Sequence, residues 1–336
     1  MSEQLLDIYV SDPIPHRGGG HAKIYFAERR LIGRTLPVAL KMAPWSDAKW
    51  ERMVVEYKAQ ECAKRASMHV VGVYGEPRKL FWEGQYWVVL EMEKINGCDL
   101  KDALARTGPM APADAVAVAI QVAKALAGAH GIGIVHRDIK PANLLIEDVT
   151  GRIRLCDFGV ASVPGESVTG PSDRMGTDLY MAPEQHLHRD HPDYEKAAVQ
   201  ADIYALGAVL YEMLAGSRAW RKSPDLWREK RQERYVPLPK ALPRSLRRVV
   251  KKCMRFDPLR RYGDAAELLD ALQRLPDLAG MPAQAKFAGL SETEPVSGAA
   301  TPRQRMKTPG WGPWPYIAAG IAIGPALLWV LNRMPL

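Results

Sequence analysis

Two carboxylates, an amide and an ammonium crowd one short stretch of chain. Asp138, Lys140 and Asn143 lie in His136-Arg137-Asp138-Ile139-Lys140-Pro141-Ala142-Asn143, and Asp157 opens Asp157-Phe158-Gly159, fourteen positions beyond Asn143. In-line transfer of a phosphoryl group asks little covalent chemistry of a protein. It asks for Mg²⁺ ligands, an acceptor for the attacking hydroxyl's proton, and fixed charge beside the phosphates. Asp138 can take the proton, and Asn143 and Asp157 can hold metal. A single Asp or Asn in a loop is ordinarily a turn or cap residue, so the weight rests on the combination. His136 and Phe158 suit packing, and Cys156 suits filling apolar space beside Asp157.

With Ala182-Pro183-Glu184 downstream, the string resembles the catalytic half of a bacterial, eukaryotic-like (Hanks-type) serine/threonine protein kinase. The resemblance implies ATP and Mg²⁺, with Mn²⁺ as a substitute, and protein Ser/Thr hydroxyls as acceptors. Asp138 would be the catalytic acceptor of the proton, and Lys140, two residues on, would neutralise the γ-phosphate as in Ser/Thr kinases. Asn143 would also brace Asp138. Lys41, in Val38-Ala39-Leu40-Lys41, would pair with the α- and β-phosphates. Glu56, three residues after Met53, would hold Lys41, with Glu61 and Glu51 as alternatives, and residues 70–74 resemble the strand that follows.

Where the family carries a glycine loop, this chain departs from it. Aligning Ile24-Tyr25 with the family pattern puts Arg17, Gly19 and Ala22 at the three glycine positions, with Gly18 and Gly20 between. Glycine matters there because backbone N–H groups must approach phosphate closely. Gly18, Gly19, Gly20, Ala22, Ile24 and Ala39 would therefore form an altered cradle for the nucleotide. Glu91, Met92 and Glu93 would form the hinge whose backbone meets adenine, slightly lengthened by Lys94-Ile95-Asn96, with Leu90 guarding the rear pocket.

The resemblance also assigns control and support. Arg137 would meet a phosphate on an activation segment running from Asp157 to Glu184. Ser162, Ser167, Thr169 and Ser172 are its candidate sites, Thr169 and Ser172 foremost, while Thr177 belongs to a substrate-binding turn. Asp202 would anchor the catalytic loop and Arg261 would pair with Glu184. These are structural roles, because an unpaired buried carboxylate is costly.

The elements that must position these residues follow two patterns. Residues 23–27, 37–41 and 85–90 are short β-branched or aromatic runs, and Val55, Ala59, Cys62 and Ala66 recur at helical spacing between Asp47 and Ala66, with Ser46 or Asp47 as cap. Beyond Gly97 the pattern turns helical: an alanine-rich helix over 113–130, and a hydrophobic one over 201–215 stopped by Gly216. The expectation is an α+β, two-lobed kinase-like fold over 1–276, with a small, mainly β N-lobe (about 1–92) and a larger, mainly α C-lobe (about 98–276).

Composition sets the remaining bounds. At 336 residues and 47% hydrophobic content, disorder of the whole chain is excluded. Cys62, Cys98, Cys156 and Cys253 form no Cys-x-x-Cys pair, which fits a reducing compartment without zinc or a disulfide framework. The net charge of +8 is concentrated between Arg218 and Arg261, where 16 Lys/Arg stand against 4 Asp/Glu. That stretch is either a solvated face or a dock for anionic lipid. No nucleic-acid motif is present. The N-terminus lacks the basic and apolar regions of a signal peptide.

Residues 277–313, rich in Pro, Ala, Gly, Ser and Thr, read as a flexible juxtamembrane linker. Residues 314–331 carry no charge and would span about 27 Å as a helix, close to the hydrocarbon thickness of a bilayer. Trp311, Trp314, Tyr316 and Trp329 flank them, and Arg303, Arg305 and Lys307 precede them, so the bulk of the chain is expected on the cytoplasmic side of a single-pass anchor in the cytoplasmic membrane. Only five residues follow, so no external sensor domain is expected. Gly320 and Gly324 would permit close helix pairing and a homodimer. Two rival readings are a pseudokinase scaffold, favoured by the altered glycine loop, and a kinase-fold small-molecule phosphotransferase. The retained Lys41, Asp138, Asn143 and Asp157 weigh against the first, and Ala182-Pro183-Glu184 against the second.

Overall fold

Aromatic and β-branched runs punctuated by turns build the N-lobe sheet. In the computed structural model, strands β1 (Asp7–Val10), β2 (Arg17–Gly18), β3 (Lys23–Leu31), β4 (Arg34–Pro44), β5 (Arg78–Trp82) and β6 (Gln85–Glu93) pair antiparallel in the order β1-β3-β4-β6-β5. The strand β2 pairs with β3, and the two-residue strand Gln304–Arg305 borders β1. The structure describes residues 22–159, 178–186 and 198–275, together with the strand pairing of 7–10, 17–18 and 304–305. The register sets Lys41 of β4 between Ile24 of β3 and Leu90 of β6. Tyr25, Leu40, Met42, Trp82 and Trp87 fill one face of this sheet.

The other face carries helix α1 (Asp47–Ala66). Ser46 caps it, its Oγ accepting the Lys49 N–H at 3.3 Å. Met53, Glu56, Ala59, Gln60 and Ala63 form its buried stripe. The expected strand over 70–74 does not form. Its first half bonds towards the C-lobe, where Val71 N–H donates to Leu155 O, and its second half bonds to β6 through Tyr74 N–H to Glu91 O and Glu93 N–H to Gly72 O. Two partners pulling in different directions reduce the segment to isolated bridges at Val70 and Val73.

The C-lobe begins with β7 (Gly97–Asp99), which joins β8 (Leu144–Glu147) and β9 (Ile153–Leu155) in a three-stranded sheet. Gly97 has φ +155°, and a Cβ there would fall 1.8 Å from Ile146 O, so only glycine fits this crossing between lobes. Among the described residues, the C-lobe α-helices are α2 (Leu100–Thr107), α3 (Pro112–Gly131), α4 (Ala198–Ala215), α5 (Leu226–Arg231), α6 (Arg244–Cys253) and α7 (Ala265–Gln273). Helix α3 packs on α4 and α7, and α4 on α6. Gly207 permits the last contact, since a Cβ there would lie 2.4 Å from Cys253 Cβ.

Both α3 and α4 are long and apolar enough to cross a bilayer. Their side chains instead make up much of the C-lobe core, Leu126, Ile203, Tyr204 and Tyr211 among them. The sequence-predicted linker and membrane segment, 277–313 and 314–331, lie outside the described residues apart from Gln304–Arg305.

Candidate active site

The two lobes meet at Lys41. Its Nζ donates to Glu56 Oε1 at 2.5 Å and to Asp157 Oδ1 at 2.7 Å, joining β4, α1 and the Asp157 loop. Of the three glutamates weighed for this role, Glu56 is buried on the inner face of α1, Glu61 pairs with Arg65 at the surface, and Glu51 is exposed. Burial alone would lower the Lys41 pKa, but Asp157 and Glu56 outweigh it and hold the ammonium above its ordinary value. Burial would likewise raise Asp157, and Lys41 overcomes it, keeping that carboxylate ionised.

The catalytic loop is fixed from below by α4. Asp202, wholly buried, accepts the backbone N–H groups of His136 at 2.8 Å and Arg137 at 2.7 Å. Arg137 and Asp157 both adopt positive φ, +65° and +67°, conformations that non-glycine residues hold only where surrounding bonds enforce them. Asp138 N–H donates to His136 Nδ1 at 3.2 Å, so His136 Nε2 carries the ring proton and donates to Cys156 O at 3.1 Å. The His136 ring meets Phe158 edge-on, with centroids 4.6 Å apart.

Around Asp138 the partners are unequal. Oδ2 accepts from Lys140 Nζ at 2.7 Å and from Asn143 Nδ2 at 3.2 Å, and Asn143 Nδ2 also bonds Asp138 O at 2.8 Å. Oδ1 is buried with no partner among the described residues. A buried carboxylate oxygen left unpaired is unfavourable, and it is the acceptor an incoming hydroxyl would fill. Burial raises the Asp138 pKa, and Lys140 offsets only part of that rise.

A protein kinase domain matches residues 18–272. The chain belongs to the protein kinase family. Similar proteins include serine/threonine-protein kinase PknH of Mycobacterium bovis, 30% identical over 94% of this chain and 63% of that protein. Serine/threonine-protein kinase PknA of Mycobacterium tuberculosis is 34% identical over 76% of this chain and 58% of its own length. Serine/threonine-protein kinase PknD of the same species is 32% identical over 88% and 46%. The chain thus spans less than two thirds of these relatives.

In this kinase domain the sheet face towards the catalytic loop is apolar. Ala39, Val71, Leu90 and Met92 form one buried cluster, against which Ala22, Ile24, Leu145 and Cys156 pack. Leu145 was not singled out from sequence, where it is one leucine among many.

Several groups of the expected hinge are engaged within the protein itself. Glu91 is buried, but its carboxylate faces Arg29 at 3.2 Å and Arg78 at 2.8 Å, and its carbonyl accepts Tyr74 N–H. Glu93 gives its N–H to Gly72 O and its carboxylate to Arg154 and Gly72 N–H. Those backbone groups are therefore engaged by the segment over 72–74. The first backbone between them and Asn96, whose carbonyl takes Asp148 N–H, is that of Lys94 and Ile95.

Supporting residues stand as follows. Arg261 binds Glu184 through both oxygens, at 2.6 and 2.8 Å. Gln185, which sequence offered no reason to choose, accepts Ala182 N–H and donates to Arg137 O, each at 2.9 Å, linking that segment to the catalytic loop. Gly18 pairs with Lys23 across the β2–β3 hairpin. Gly19, Gly20, Ser162, Ser167, Thr169, Ser172 and Thr177 lie outside the described residues.

A divalent cation fits the donor set. Among the described residues no three His, Cys, Asp or Glu side chains converge as a metal cage. Mg²⁺ held with substrate phosphates needs only one or two protein oxygen ligands and keeps several waters. Asp157 Oδ2 and Asn143 Oδ1 would supply such oxygens, since Asp157 meets Lys41 through Oδ1 and Asn143 meets Asp138 through Nδ2.

Proposed function

We propose that this chain transfers the γ-phosphate of ATP to Ser or Thr hydroxyls of proteins, its own included. The observation that carries the reading is the unpartnered, buried Oδ1 of Asp138 beside Lys140. Oδ1 receives the acceptor hydroxyl's proton as the oxygen attacks phosphorus, and Lys140 balances charge on the transferred group. Lys41, kept in place by Glu56, orients the phosphates. Asn143 and Asp157 would hold Mg²⁺ or Mn²⁺, which supplies charge neutralisation across the β- and γ-phosphates. Adenine meets the backbone at Glu93 O and Ile95 N–H, in the later part of the expected hinge. Arg137 and a phosphorylated Thr169 or Ser172 would regulate the site.

The test is phosphate incorporation from labelled ATP by the purified chain, beside Asp138→Asn. Transfer above that variant supports the reading. A signal no higher than that variant's, with Mg²⁺ and with Mn²⁺, rejects it in favour of a scaffold, and transfer to small hydroxyl compounds alone would favour a small-molecule phosphotransferase.

A membrane location is the second part of the proposal, with the kinase domain over 1–276, a linker over 277–313 and a helix over 314–331 facing it to the cytoplasm. The uncharged 314–331 stretch supports it. Exposed Arg244, Arg248 and Lys251, along α6, add a cationic surface suited to anionic lipid. Gly320 and Gly324 would support pairing of two copies. Membrane fractionation with and without residues 311–336 tests the anchor, which fails if both forms fractionate alike.

A further inference from the structure

Lys230 is a buried cation that the chemistry above leaves unused. It lies on α5 with 1% exposure, although lysines are almost never buried without partners. Its Nζ donates to Asp178 O and Met181 O, each at 2.6 Å. The rings of Trp227, Tyr204 and Trp220 stand 4.7, 5.5 and 6.0 Å away, a spacing at which aromatic faces attract a cation. Burial pushes its pKa down to about 7, against the pull of Asp178 and Glu184. Charged or neutral, the amine supplies the two N–H donors that the carbonyls use.

Those carbonyls bracket the turn over 178–181, directly before Ala182-Pro183-Glu184. The turn is tied on its other sides too. Tyr180 Oη donates to Glu212 Oε2 of α4 at 2.5 Å, and Arg218 Nε donates to Tyr180 Oη at 3.1 Å. Through Ala182 N–H and Gln185 it reaches the carbonyl of Arg137, the residue beside Asp138. One end thus hangs on α5 through Lys230, and the other touches the catalytic loop. A helix of six residues has little stability of its own, so the same bonds hold α5 to the turn.

We infer that Lys230 is a positioning residue that fixes the turn over 178–181 beside Asp138 and thereby sets the affinity for the acceptor protein, not for ATP. The inference rests on the protein-phosphorylating reading above. Without the amine, the Asp178 and Met181 carbonyls lose their donor, and a short turn relieves this by shifting. Lys41, Glu56 and Asp157 share none of these bonds.

The experiment compares the unmodified full chain with Lys230→Met and Lys230→Arg, using labelled ATP and a Ser/Thr-containing acceptor peptide. Lys230→Met is expected to raise the peptide KM about tenfold or more, with the ATP KM within twofold, because stranding a buried carbonyl costs an amount of that size. Lys230→Arg, which keeps N–H donors, falls between. An unchanged peptide KM in Lys230→Met overturns the inference, as does a parallel loss in both KM values. If Lys230→Met fails to fold, Lys230→Arg alone decides, and a peptide KM equal to that of the unmodified chain overturns it. Absence of transfer by the unmodified chain would instead reject the kinase reading itself.

Discussion

Asp202 Oδ1 accepts the Arg137 backbone N–H at 2.7 Å, across 65 residues of sequence. Its Oδ2 accepts the N–H of His136 at 2.8 Å and contacts His130 Nε2 at 3.0 Å. Burial alone would raise the Asp202 pKa, but the His130 bond and its neighbours outweigh it and hold the carboxylate below its ordinary value. The left-handed conformation of Arg137 costs on the order of 1–3 kcal/mol, and this clamp offsets it. Asp202→Asn, which turns one acceptor into a donor, is therefore expected to cut kcat at least tenfold while the ATP KM stays within twofold. Asp202→Ala is expected to lose roughly 3–5 kcal/mol of stability, measured by urea unfolding. Wild-type kcat in Asp202→Asn would remove the clamp from the mechanism.

Helix α1 separates its glutamates by face. Glu56 meets Lys41 in the interior, whereas Glu61 meets Arg65 at the surface. Glu56→Gln is expected to lower kcat/KM for ATP by about tenfold to a hundredfold, the size of a hydrogen bond between charged groups. Glu61→Gln is expected to stay within twofold, since exposed i,i+4 pairs contribute little. Equal losses in steady-state assays of the two variants would reject Glu56 as the partner of Lys41.

Local patterns make several of these elements legible in the sequence. The helix over Asp47–Ala66 came from its apolar spacing and serine cap, and β3, β4 and β6 from their β-branched and aromatic runs. What stayed hidden depends on contacts between distant segments. Residues 70–74 look like a strand, but they divide their hydrogen bonds between β9 and β6. Which backbone groups of the expected hinge are engaged depends on that same segment, through Glu91 O and Glu93 N–H. Lys230 read as one more charge in a basic stretch, because its burial depends on Trp220, Trp227 and the turn over 178–181 folding around it.

Two glycines make opposite predictions. At Gly207 of α4 an added Cβ would stand 2.4 Å from Cys253 Cβ, so α6 must move outward. Gly207→Ala is expected to cost about 1–3 kcal/mol through overpacking, or several degrees of Tm for a domain of this size. At Gly131, the last residue of α3, an added Cβ meets nothing within 4 Å. Gly131→Ala is expected to gain about 0.4–1 kcal/mol by restricting the unfolded chain. Thermal scans of the two variants that moved in the same direction would contradict the packing of α4 on α6.

Lys230 also links stability to pH. Burial brings its folded pKa down to about 7 from 10.5, with Asp178 and Glu184 opposing that fall and Arg261 adding to it. Below about pH 7 folded and unfolded chains both hold the proton, and the site adds no pH dependence. Between about 7 and 10.5 only the unfolded chain holds it, so stability rises with pH. The slope approaches about 1.4 kcal/mol per pH unit within that window. Lys230→Met abolishes this contribution while leaving the other titrating groups in place. The stability difference between the unmodified chain and Lys230→Met, from urea unfolding at pH 6.5 and pH 9, is therefore expected to shift in favour of the unmodified chain by about 2.5 kcal/mol at the higher pH. A difference that stays constant would mean that the rings and carbonyls around Lys230 keep it charged throughout, and the linkage would be absent.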